Sequence, residues 1–267
     1  MRDLTSNEPT IAVVIAARDA SEFIGATLDS LVGQSRKPDQ VIVFDDGSTD
    51  GTASLAQTYG DLLKNLIVIE NGESIGISAA RNRANAAVTA DYIAVLDADD
   101  LFGLETIQQY SRFLRENPDT DLLYADTRVF HANTDSAQGK RRSYPIFSSH
   151  RSAIRRTLGS PLVPFKHSSM VCRRAAMEQL GGYDETLPIK VDVDLFLRFN
   201  AHGMNVAKLN ETTSFHRKHD RQVSMDRLRG IRAYQRLMKT YEPDPLVRGL
   251  LYSTRIPSEF LKLLLRG

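Results

Sequence analysis

The sequence predicts an α/β fold with a mostly parallel, doubly wound central sheet and helices on both of its faces. Short apolar runs typical of buried strands alternate with segments of helical period through the first half of the chain. Polar and acidic side chains directly follow several of these runs, at the strand ends where open parallel sheets bind their ligands. The functional residues are therefore expected at the carboxyl ends of the predicted strands.

The first element is a predicted strand over residues 11–15, an uninterrupted apolar run. It leads through Arg18 into a helix whose apolar residues recur every three or four positions, which is typical of one buried face. Asp19 and Glu22 have the spacing of a capping box, so we expect them to cap this helix at its start.

The second predicted strand, 40–44, runs directly into an acidic, glycine-containing segment, 45–52. Glycine suits the tight turn expected there, and Ser48 or Thr49 is expected to cap the next helix. A third strand is predicted near 66–69. The repeated order of strand, helix and strand favours parallel strands joined by helical crossovers.

The fourth predicted strand, 92–96, follows an Ala-rich helical segment, 78–87, and ends abruptly in Asp97, Asp99 and Asp100. Residues two apart in an extended strand share a face, so Asp97 and Asp99 predict a hard divalent cation that also contacts a diphosphate. The alternative is that Asp99 and Asp100 only cap a predicted helix at 103–116, since acids are common before helices. The first interpretation makes metal-assisted chemistry on a phosphorylated substrate the leading hypothesis.

Several motifs stand at characteristic intervals along the chain. In the first half they are Asp45-Asp46-Gly47-Ser48-Thr49-Asp50-Gly51-Thr52, Ala80-Arg81-Asn82 and Leu96-Asp97-Ala98-Asp99-Asp100. In the second half they are Leu180-Gly181-Gly182-Tyr183-Asp184-Glu185, Val191-Asp192-Val193-Asp194-Leu195-Phe196-Leu197-Arg198 and His219, followed by Val223-Ser224. Each motif alone is weak, but the ordered set resembles the family 2 glycosyltransferases, which have the Rossmann-like GT-A fold. The resemblance covers residues 10 to 225, roughly.

The resemblance implies an enzyme that moves a sugar from a nucleoside diphosphate to an acceptor, with inversion at the anomeric carbon. Asp46 would contact the nucleobase, expected to be uracil, and the backbone around Ala16 and Arg18 would flank it. Asp97 would lie near the ribose. The expected partners are a UDP-sugar donor and a glycan or lipid-linked acceptor, in a setting such as bacterial surface-polysaccharide assembly.

The resemblance also implies a metal ligand and a base. Asp99 would hold Mg²⁺ or Mn²⁺ bridging the diphosphate oxygens, and His219 would be a further contact to the metal or the diphosphate. Such a cation offsets the charge that gathers on the leaving group. Asp192 would be the general base that deprotonates the acceptor hydroxyl. Val191 stands where the family usually has a second acid, and Asp194 is the rival carboxylate, although we expect Asp194 to cap a helix.

Alternatives stay open for three other residues. Arg81 is equally expected to bind the diphosphate or to brace a carboxylate such as Asp97. His167 begins an apolar segment, and a histidine in that position is more often structural. His216 lies an odd number of positions from His219 on a predicted strand, so the two would face opposite sides, and we favour His219.

The composition sets further limits. The single cysteine, Cys172, lies in an apolar run, so we expect a core residue and no intrachain disulfide. No secretory signal precedes the first predicted strand, and the sequence has no apolar run long enough to cross a membrane. We therefore expect a cytoplasmic protein, with a peripheral position at the inner face of the membrane as the alternative, and no nucleic-acid partner.

Two regions are expected along the chain. A catalytic domain would cover 1–224, with a nucleotide-binding half at 10–130 and an acceptor-side half at 131–224, and a basic helical tail would cover 225–267. The net charge of +1 conceals an asymmetry, since residues 217–267 hold 12 Lys or Arg against 5 Asp or Glu, a balance of +7. The preceding residues then carry −6, so the tail is opposite in charge to the body.

The tail has the pattern of an amphipathic helix over 225–241 and ends in a short basic, apolar stretch at 260–266. We expect it either to pack on the catalytic domain or a partner subunit, or to contact anionic lipid if the acceptor is lipid-linked. A second basic cluster is expected either to form a loop over the acceptor cleft or to be a solvated face. Its members are Lys140, Arg141, Arg142, Arg151, Arg155 and Arg156.

Rival classes predict different features. A sugar nucleotidyltransferase would place a Gly-rich phosphate loop after the first strand, and segment 16–20 contains no glycine. A phosphoacceptor receiver domain would need only the first half of the chain and would leave Asp192 and His219 without a role. A catalytically inactive protein that binds sugar nucleotides would share every motif, and it is distinguished by binding without turnover.

Overall fold

The computed structural model describes residues 8–131, 136, 139–160, 163–219 and 227–264. The first part of the chain contains β1 (Ile11–Ala17), α1 (Ser21–Val32), β2 (Gln40–Asp46), α2 (Thr52–Gln57), β3 (Leu66–Asn71), α3 (Ile77–Ala86) and β4 (Tyr92–Val95). It is followed by β5 (Leu101–Phe102), α4 (Thr106–Glu116), β6 (Leu122–His131), β7 (Lys140–Arg142), α5 (His150–Gly159), β8 (Met170–Arg173), α6 (Arg174–Gln179), α7 (Val191–Ala201) and β9 (Val206–Lys218). The tail contains α8 (Arg227–Tyr241) and α9 (Pro245–Leu264).

Strands β1 to β4 form a parallel sheet in the order β3-β2-β1-β4. Helices α1 and α4 bury Leu28 and Leu114 against one face. Helices α3 and α7 bury Ala84 and Phe196 in the hydrophobic core on the other face. Because both faces are covered, β1 and β4 are apolar along their whole length and β2 is apolar from Val41 to Phe44, instead of alternating. The predicted α/β class, with its parallel first half and flanking helices, is confirmed.

Beyond β4 the sheet becomes mixed. Strand β8 runs antiparallel to both β4 and β6, β9 runs parallel to β6, and the short β5 pairs with β9. Strand β7 pairs with the far end of β6. A 3-10 turn at His167–Ser169 directly precedes β8, so the antiparallel pairing places this turn beside the carboxyl end of β4. The second half of the chain thereby contributes side chains to the edge that the first half defines.

The predicted helix caps are wrong. Asp19 has φ 45° and accepts a hydrogen bond from the Thr49 amide at 2.9 Å, so it joins two loops and does not cap α1. The first amides of α1 and α2 instead donate to Asp50, from Ser21 at 2.9 Å and from Thr52 at 3.1 Å. One carboxylate at two neighbouring helix starts satisfies donors that each helix leaves free. Sequence spacing predicted a cap from residues next to α1, whereas the carboxylate at the start of α1 belongs to Asp50, which is distant in the sequence.

Helix α8 packs on the body of the protein. Tyr234 and Met238 are fully buried, and the Tyr241 hydroxyl donates to Asp194 of α7 at 2.7 Å. After α8, Glu242 accepts a hydrogen bond from Arg155 of α5 at 2.8 Å. These contacts agree with the packed alternative for this part of the tail. The expected domain boundary at 224 and 225 lies outside the described residues and stays a prediction.

Cys172 is fully buried in β8, as expected of a core residue. In the described part of the chain, every helix is too short or too polar to cross a lipid bilayer.

Candidate active site

The carboxyl ends of β1, β2, β3 and β4 lie at one edge of the sheet, because these strands are parallel. The loops that leave them bring together Arg18, Asp46, Ser74 and Asp97, the last on the turn after β4. The convergence of polar loops predicted from the sequence is therefore present. Open α/β sheets bind ligands at this edge, which makes it the candidate active site.

Asp97 is fixed by a cation on one side and an imidazole on the other. Its Oδ1 lies 2.7 Å from Arg81 Nη2 and 3.5 Å from His167 Nδ1. Burial alone would raise the pKa of Asp97, but the charge of Arg81 and the hydrogen bond from His167 outweigh it and hold that pKa well below its usual range. Arg81 therefore braces Asp97, which was one of its two expected roles.

His167 connects this carboxylate to the second half of the chain. Its ring is buried, and its Nε2 lies 2.8 Å from the Tyr183 hydroxyl. Burial and the charge of Arg81 lower the pKa of His167, while Asp97 and Asp192 act in the opposite direction. The net shift favours the neutral imidazole. Asp192, at the start of α7, is therefore one of the charges that act on His167.

The acidic run after β4 forms a turn and not an extended strand, since the Asp100 amide donates to the Asp97 carbonyl at 3.0 Å. This turn brings one oxygen each from Asp97, Asp99 and Asp100 within 4.8 Å of one another. Helix α4 begins only at Thr106, so the capping role considered for Asp99 and Asp100 is wrong. Helix capping therefore does not explain why the three carboxylates lie close together.

Asp100 is structural, because protein donors saturate it. It accepts hydrogen bonds from the Ser168 hydroxyl at 2.5 Å and the Arg217 amide at 2.9 Å, and His216 Nδ1 lies 3.0 Å away. Only 1% of Asp100 is exposed. This carboxylate therefore ties the acidic turn to the end of β9 and to the 3-10 turn. His216, which sequence reasoning set aside, is one of its partners.

Asp99 is the least engaged carboxylate of the three. Its side chain is 25% exposed, and its Oδ2 lies 2.8 Å from His219 Nε2. Burial raises the pKa of Asp99, and so do the charges of Asp100 and Asp97, while the hydrogen bond with His219 partly offsets the rise. A cation bound near Asp99 would reduce the repulsion between its carboxylate and those of Asp97 and Asp100. Hard carboxylate oxygens at this separation fit a divalent cation such as Mg²⁺ or Mn²⁺.

Asp46 organises the loop that follows β3. Its Oδ1 accepts the Ile75 amide at 2.7 Å, and its Oδ2 accepts the Ser74 hydroxyl at 2.7 Å and the Gly76 amide at 3.1 Å. Arg18 donates to the same Ser74 hydroxyl at 2.8 Å. The two residues expected at the nucleobase are therefore joined through a serine. Ala16 lies next to them in β1, paired with Phe44 of β2.

The turn before α7 is held against α3. Asn82 accepts the Tyr183 amide at 2.8 Å and donates to the Tyr183 carbonyl at 3.0 Å. Gly182 has φ 74°, and a Cβ there would collide with the Asn82 side chain, so only glycine fits. Tyr183 contacts His167, so two motifs that are distant in the sequence together position this imidazole.

Asp192 and Asp194 differ sharply although both lie in the first turn of α7. Asp194 is buried and accepts hydrogen bonds from Arg198 Nε at 2.8 Å and the Tyr241 hydroxyl at 2.7 Å. The expected capping role of Asp194 is therefore wrong, since its carboxylate joins α7 to the tail. Asp192 is only partly buried and makes no hydrogen bond with any described residue. Its side chain is therefore partly accessible to solvent.

Sequence reasoning missed Ser74 and Ser168. Ser74 lies in the segment Gly72-Glu73-Ser74-Ile75-Gly76, and its position after a parallel strand was an available signal. Ser168 donates to Asp100, and its hydroxyl also accepts the Asp97 amide at 3.2 Å. No local pattern marks Ser168, because the antiparallel pairing of β8 brings it there.

The fold and the acidic edge place the chain among α/β proteins that bind a ligand where parallel strands end. A comparison with protein families narrows this class. The model described as "Glycosyl transferase family 2" matches residues 12–181, so the chain belongs to this family of glycosyltransferases. The expected family and its GT-A fold are thereby confirmed.

Individual proteins agree with the family assignment. The succinoglycan biosynthesis protein ExoU of Rhizobium meliloti (strain 1021) is 32% identical over 208 residues, which cover 75% of this chain and only 60% of that protein. The UDP-Glc:alpha-D-GlcNAc-diphosphoundecaprenol beta-1,3-glucosyltransferase WfaP of Escherichia coli is 24% identical over 232 residues, 86% of each chain. The crystal structure of S. aureus TarS 1-349 in complex with UDP-GlcNAc has a TM-score of 0.68 at 18% identity, covering 94% of this chain and 72% of that one. TarS therefore supports the fold alone.

Proposed function

We propose that the chain is an inverting glycosyltransferase that moves a sugar from a UDP-sugar to a glycan or lipid-linked acceptor, with assistance from a divalent cation. One observation carries the proposal. The carboxylates of Asp97, Asp99 and Asp100 converge at the carboxyl edge of the parallel sheet, and Asp192, which has no partner among the described residues, acts electrostatically on His167, the neighbour of Asp97. A cation site and a base on one cleft are the two groups that direct displacement requires.

The donor's uridine belongs at the end of the edge formed by Arg18, Ser74 and Asp46. Asp46 holds the loop that would contact the base, and the exposed Arg18 side chain lies over it. The ribose belongs near Asp97, which Arg81 and His167 hold in place. WfaP, a relative at 24% identity whose name gives UDP-Glc as its donor, supports a uridine donor.

The diphosphate belongs beside Asp99. Asp97 and Asp100 are already held by protein donors, so Asp99 is the carboxylate best able to accept Mg²⁺ or Mn²⁺. His219 lies against Asp99 and is the second candidate contact to the metal or the diphosphate. A cation bound here would offset the charge that develops on the leaving diphosphate.

Asp192 would accept the proton of the acceptor hydroxyl. A general base must keep its lone pairs free for substrate, and Asp192 is the accessible carboxylate without a hydrogen-bond partner among the described residues. The buried Asp194 has both oxygens engaged and cannot approach a substrate hydroxyl. Inversion follows because one base and one leaving group act on opposite faces of the sugar.

A donor panel tests this function. Purified protein would be incubated with UDP-glucose, UDP-N-acetylglucosamine, UDP-galactose and GDP-mannose, each with Mn²⁺ or chelator, and the melting temperature recorded. We expect at least one UDP-sugar to raise it in the presence of metal, since a ligand that binds only the folded state stabilises it. Release of UDP from that donor, with the anomeric configuration of the product determined by NMR, then tests transfer. Binding without release of UDP under any acceptor would indicate the catalytically inactive alternative.

A further inference from the structure

A pocket of about 340 Å³ lies between the segment after β7 and the C-terminal end of α5. Its walls are largely apolar and include Tyr144, Phe147 and Val163. The charged residues among its lining side chains are two arginines, Arg142 and Arg156. None of the residues discussed above as donor-site residues lines it, so its chemistry is separate from that of the acidic edge.

The two arginines lack a carboxylate partner in the described part of the chain, unlike several of their neighbours. Arg141 pairs with Asp126 at 2.9 Å and Arg155 with Glu242 at 2.8 Å, whereas neither Arg142 nor Arg156 forms such a pair. In each of these two adjacent pairs, one arginine forms an ion pair and the other has no carboxylate partner among the described residues. An arginine that faces a pocket without a partner is suited to an anionic ligand.

Both guanidinium groups are placed over aromatic rings. Arg142 Cζ lies 5.7 Å from the centroid of Tyr144, and Arg156 Cζ lies 5.6 Å from that of Phe147. Contact with a ring restricts the guanidinium while its N–H edge stays available for bidentate bonds to a phosphate. The pocket thus combines two oriented cationic forks with the apolar surfaces beneath them.

A third polar group points to a ligand independently. The Thr157 side chain is 2% exposed, lines the pocket, and its Oγ1 has no hydrogen-bond partner. A buried hydroxyl without a partner costs free energy unless a bound molecule or water satisfies it. Thr157 and Arg156 both line the pocket, so a phosphate oxygen bound there is a suitable acceptor for the Thr157 hydroxyl.

The pocket lies against α7, the helix that carries Asp192, since the ring centroids of its wall residue Phe147 and of Phe196 are 5.7 Å apart. Its wall residue Pro164 precedes Phe165-Lys166-His167, and His167 contacts Asp97. On the other wall, the Tyr144 hydroxyl lies 3.1 Å from Thr127 Oγ1. A molecule in this pocket therefore lies in the second half of the chain, against the helix that begins beside Asp192.

We propose that this pocket binds a phosphate or diphosphate group of the acceptor, held by Arg142, Arg156 and Thr157, with an apolar chain joined to that group lying on the aromatic wall. The inference rests on the proposed function, since it names the acceptor class for the same transfer. The acceptor is then a phosphorylated lipid and not a neutral glycan. The combination of two cations and an apolar wall favours this class, because a neutral glycan has neither the negative charge nor the apolar chain that these features complement.

Calorimetric titration with farnesyl diphosphate tests this site, in the presence of saturating UDP and Mg²⁺ so that the donor site is filled. We expect binding to the wild type, and affinity reduced about tenfold in both Arg142→Gln and Arg156→Gln. Inorganic pyrophosphate and farnesol should each bind at least about tenfold more weakly than farnesyl diphosphate, since each offers only half of the recognition. The control is Arg112→Gln on α4, which removes the same charge on the opposite face of the sheet and should bind as the wild type does.

Equal affinity in the two pocket variants and the wild type would overturn the proposal. So would pyrophosphate binding as tightly as farnesyl diphosphate, or binding of farnesyl diphosphate only when UDP is left out, which would place the probe in the donor site. Arg142 and Arg156 are at the surface without ion pairs, so the melting temperature should be unchanged, and Arg156→Gln alone decides if Arg142→Gln unfolds. If the wild type fails to bind UDP while the arginine-dependent binding persists, the donor assignment fails and the phosphate site stands.

Discussion

The proposed donor side and the proposed acceptor side of the candidate active site differ in how completely their charged groups are satisfied. On the donor side, protein donors hold Asp46, Asp97 and Asp100 through at least two contacts each. On the acceptor side, Asp192 and the two pocket arginines make no ion pair with any described residue. The three carboxylates held by protein donors are fixed without a ligand. Asp192 and the two arginines can still form hydrogen bonds or ion pairs with a substrate.

This difference has a physical basis. A buried carboxylate without donors is expensive, so the deep residues of the donor edge must be paired if the fold is to be stable. Partly exposed charged groups are hydrated, so leaving them without a protein partner costs little free energy. We therefore expect substitutions on the donor side to affect the position of a loop or a metal as well as binding, and substitutions of free groups to affect catalysis or acceptor binding alone.

The largest expected effect concerns Asp192. Asp192→Asn keeps the shape of the side chain and removes the base, so turnover should fall by about a hundredfold or more while UDP affinity stays within about twofold of the wild type. The measurement pairs steady-state kinetics with calorimetric titration of UDP. If no acceptor is known, the slow hydrolysis of the UDP-sugar by water, measured as release of UDP, can replace transfer as the readout.

The assignment of Asp192 as a base on the acceptor side would be wrong if Asp192→Asn weakened UDP binding as strongly as it lowered turnover. Asp192 would then belong to the donor side. An Asp192→Asn variant of undiminished turnover would contradict the single-base mechanism itself.

A second effect concerns stability at Asp194. Asp194→Asn removes a buried charge that Arg198 and Tyr241 both contact, so the free energy of unfolding should fall by about 2 kcal/mol. Glu178→Gln is the matched control, because Arg174 and Glu178 form an i,i+4 pair in α6 that is mostly exposed. That pair should contribute less than about 1 kcal/mol. Urea unfolding of the three proteins makes the comparison, and equal losses would show that burial does not distinguish the two pairs.

A third effect concerns the metal. Asp99→Asn should weaken UDP binding about tenfold in Mn²⁺ and leave it nearly unchanged in chelator, since the variant loses only the contribution that the cation transmits. Chelator should bring the wild type to the same affinity as the variant. Asp61→Asn, an exposed acid after α2, controls for the change in net charge. Wild-type affinity that is indifferent to chelator would remove the metal role from Asp99.

The sequence was sufficient for the parallel half of the fold and the acidic edge. Strands β1, β2 and β4 are continuous apolar runs, and the carboxylates after β2 and β4 must meet because the strands are parallel. The order of the remaining strands was not predictable in the same way. Strand β8 pairs antiparallel with β4 across long sequence separation, and this pairing alone brings His167 and Ser168 to the site.

The partners of individual acids were harder to predict than their location. Asp19, Asp99, Asp100 and Asp194 all precede or begin predicted helices. A cap was expected for Asp19 and Asp194, and it was the alternative to metal binding for Asp99 and Asp100. The structure assigns their carboxylates to loops, histidines and the tail instead, because tertiary contacts offer donors that local spacing does not reveal. Local sequence therefore indicates that a carboxylate lies at a strand or helix end, but not which donor holds it.

The smallest expected effect concerns nucleobase selection at Asp46. Wild-type protein should bind UDP more tightly than GDP, and Asp46→Asn should reduce that preference by about fivefold, since an amide cannot accept all of the hydrogen bonds that hold residues 74–76. Ser74→Ala sharpens the result, because it removes the link to Arg18 and leaves the Asp46 carboxylate in place. If Asp46 contacts the base directly, calorimetric titration should show the preference intact in Ser74→Ala. If the loop mediates recognition, both variants should lose it together, and a wild type that prefers GDP would show that the donor is not a uridine nucleotide.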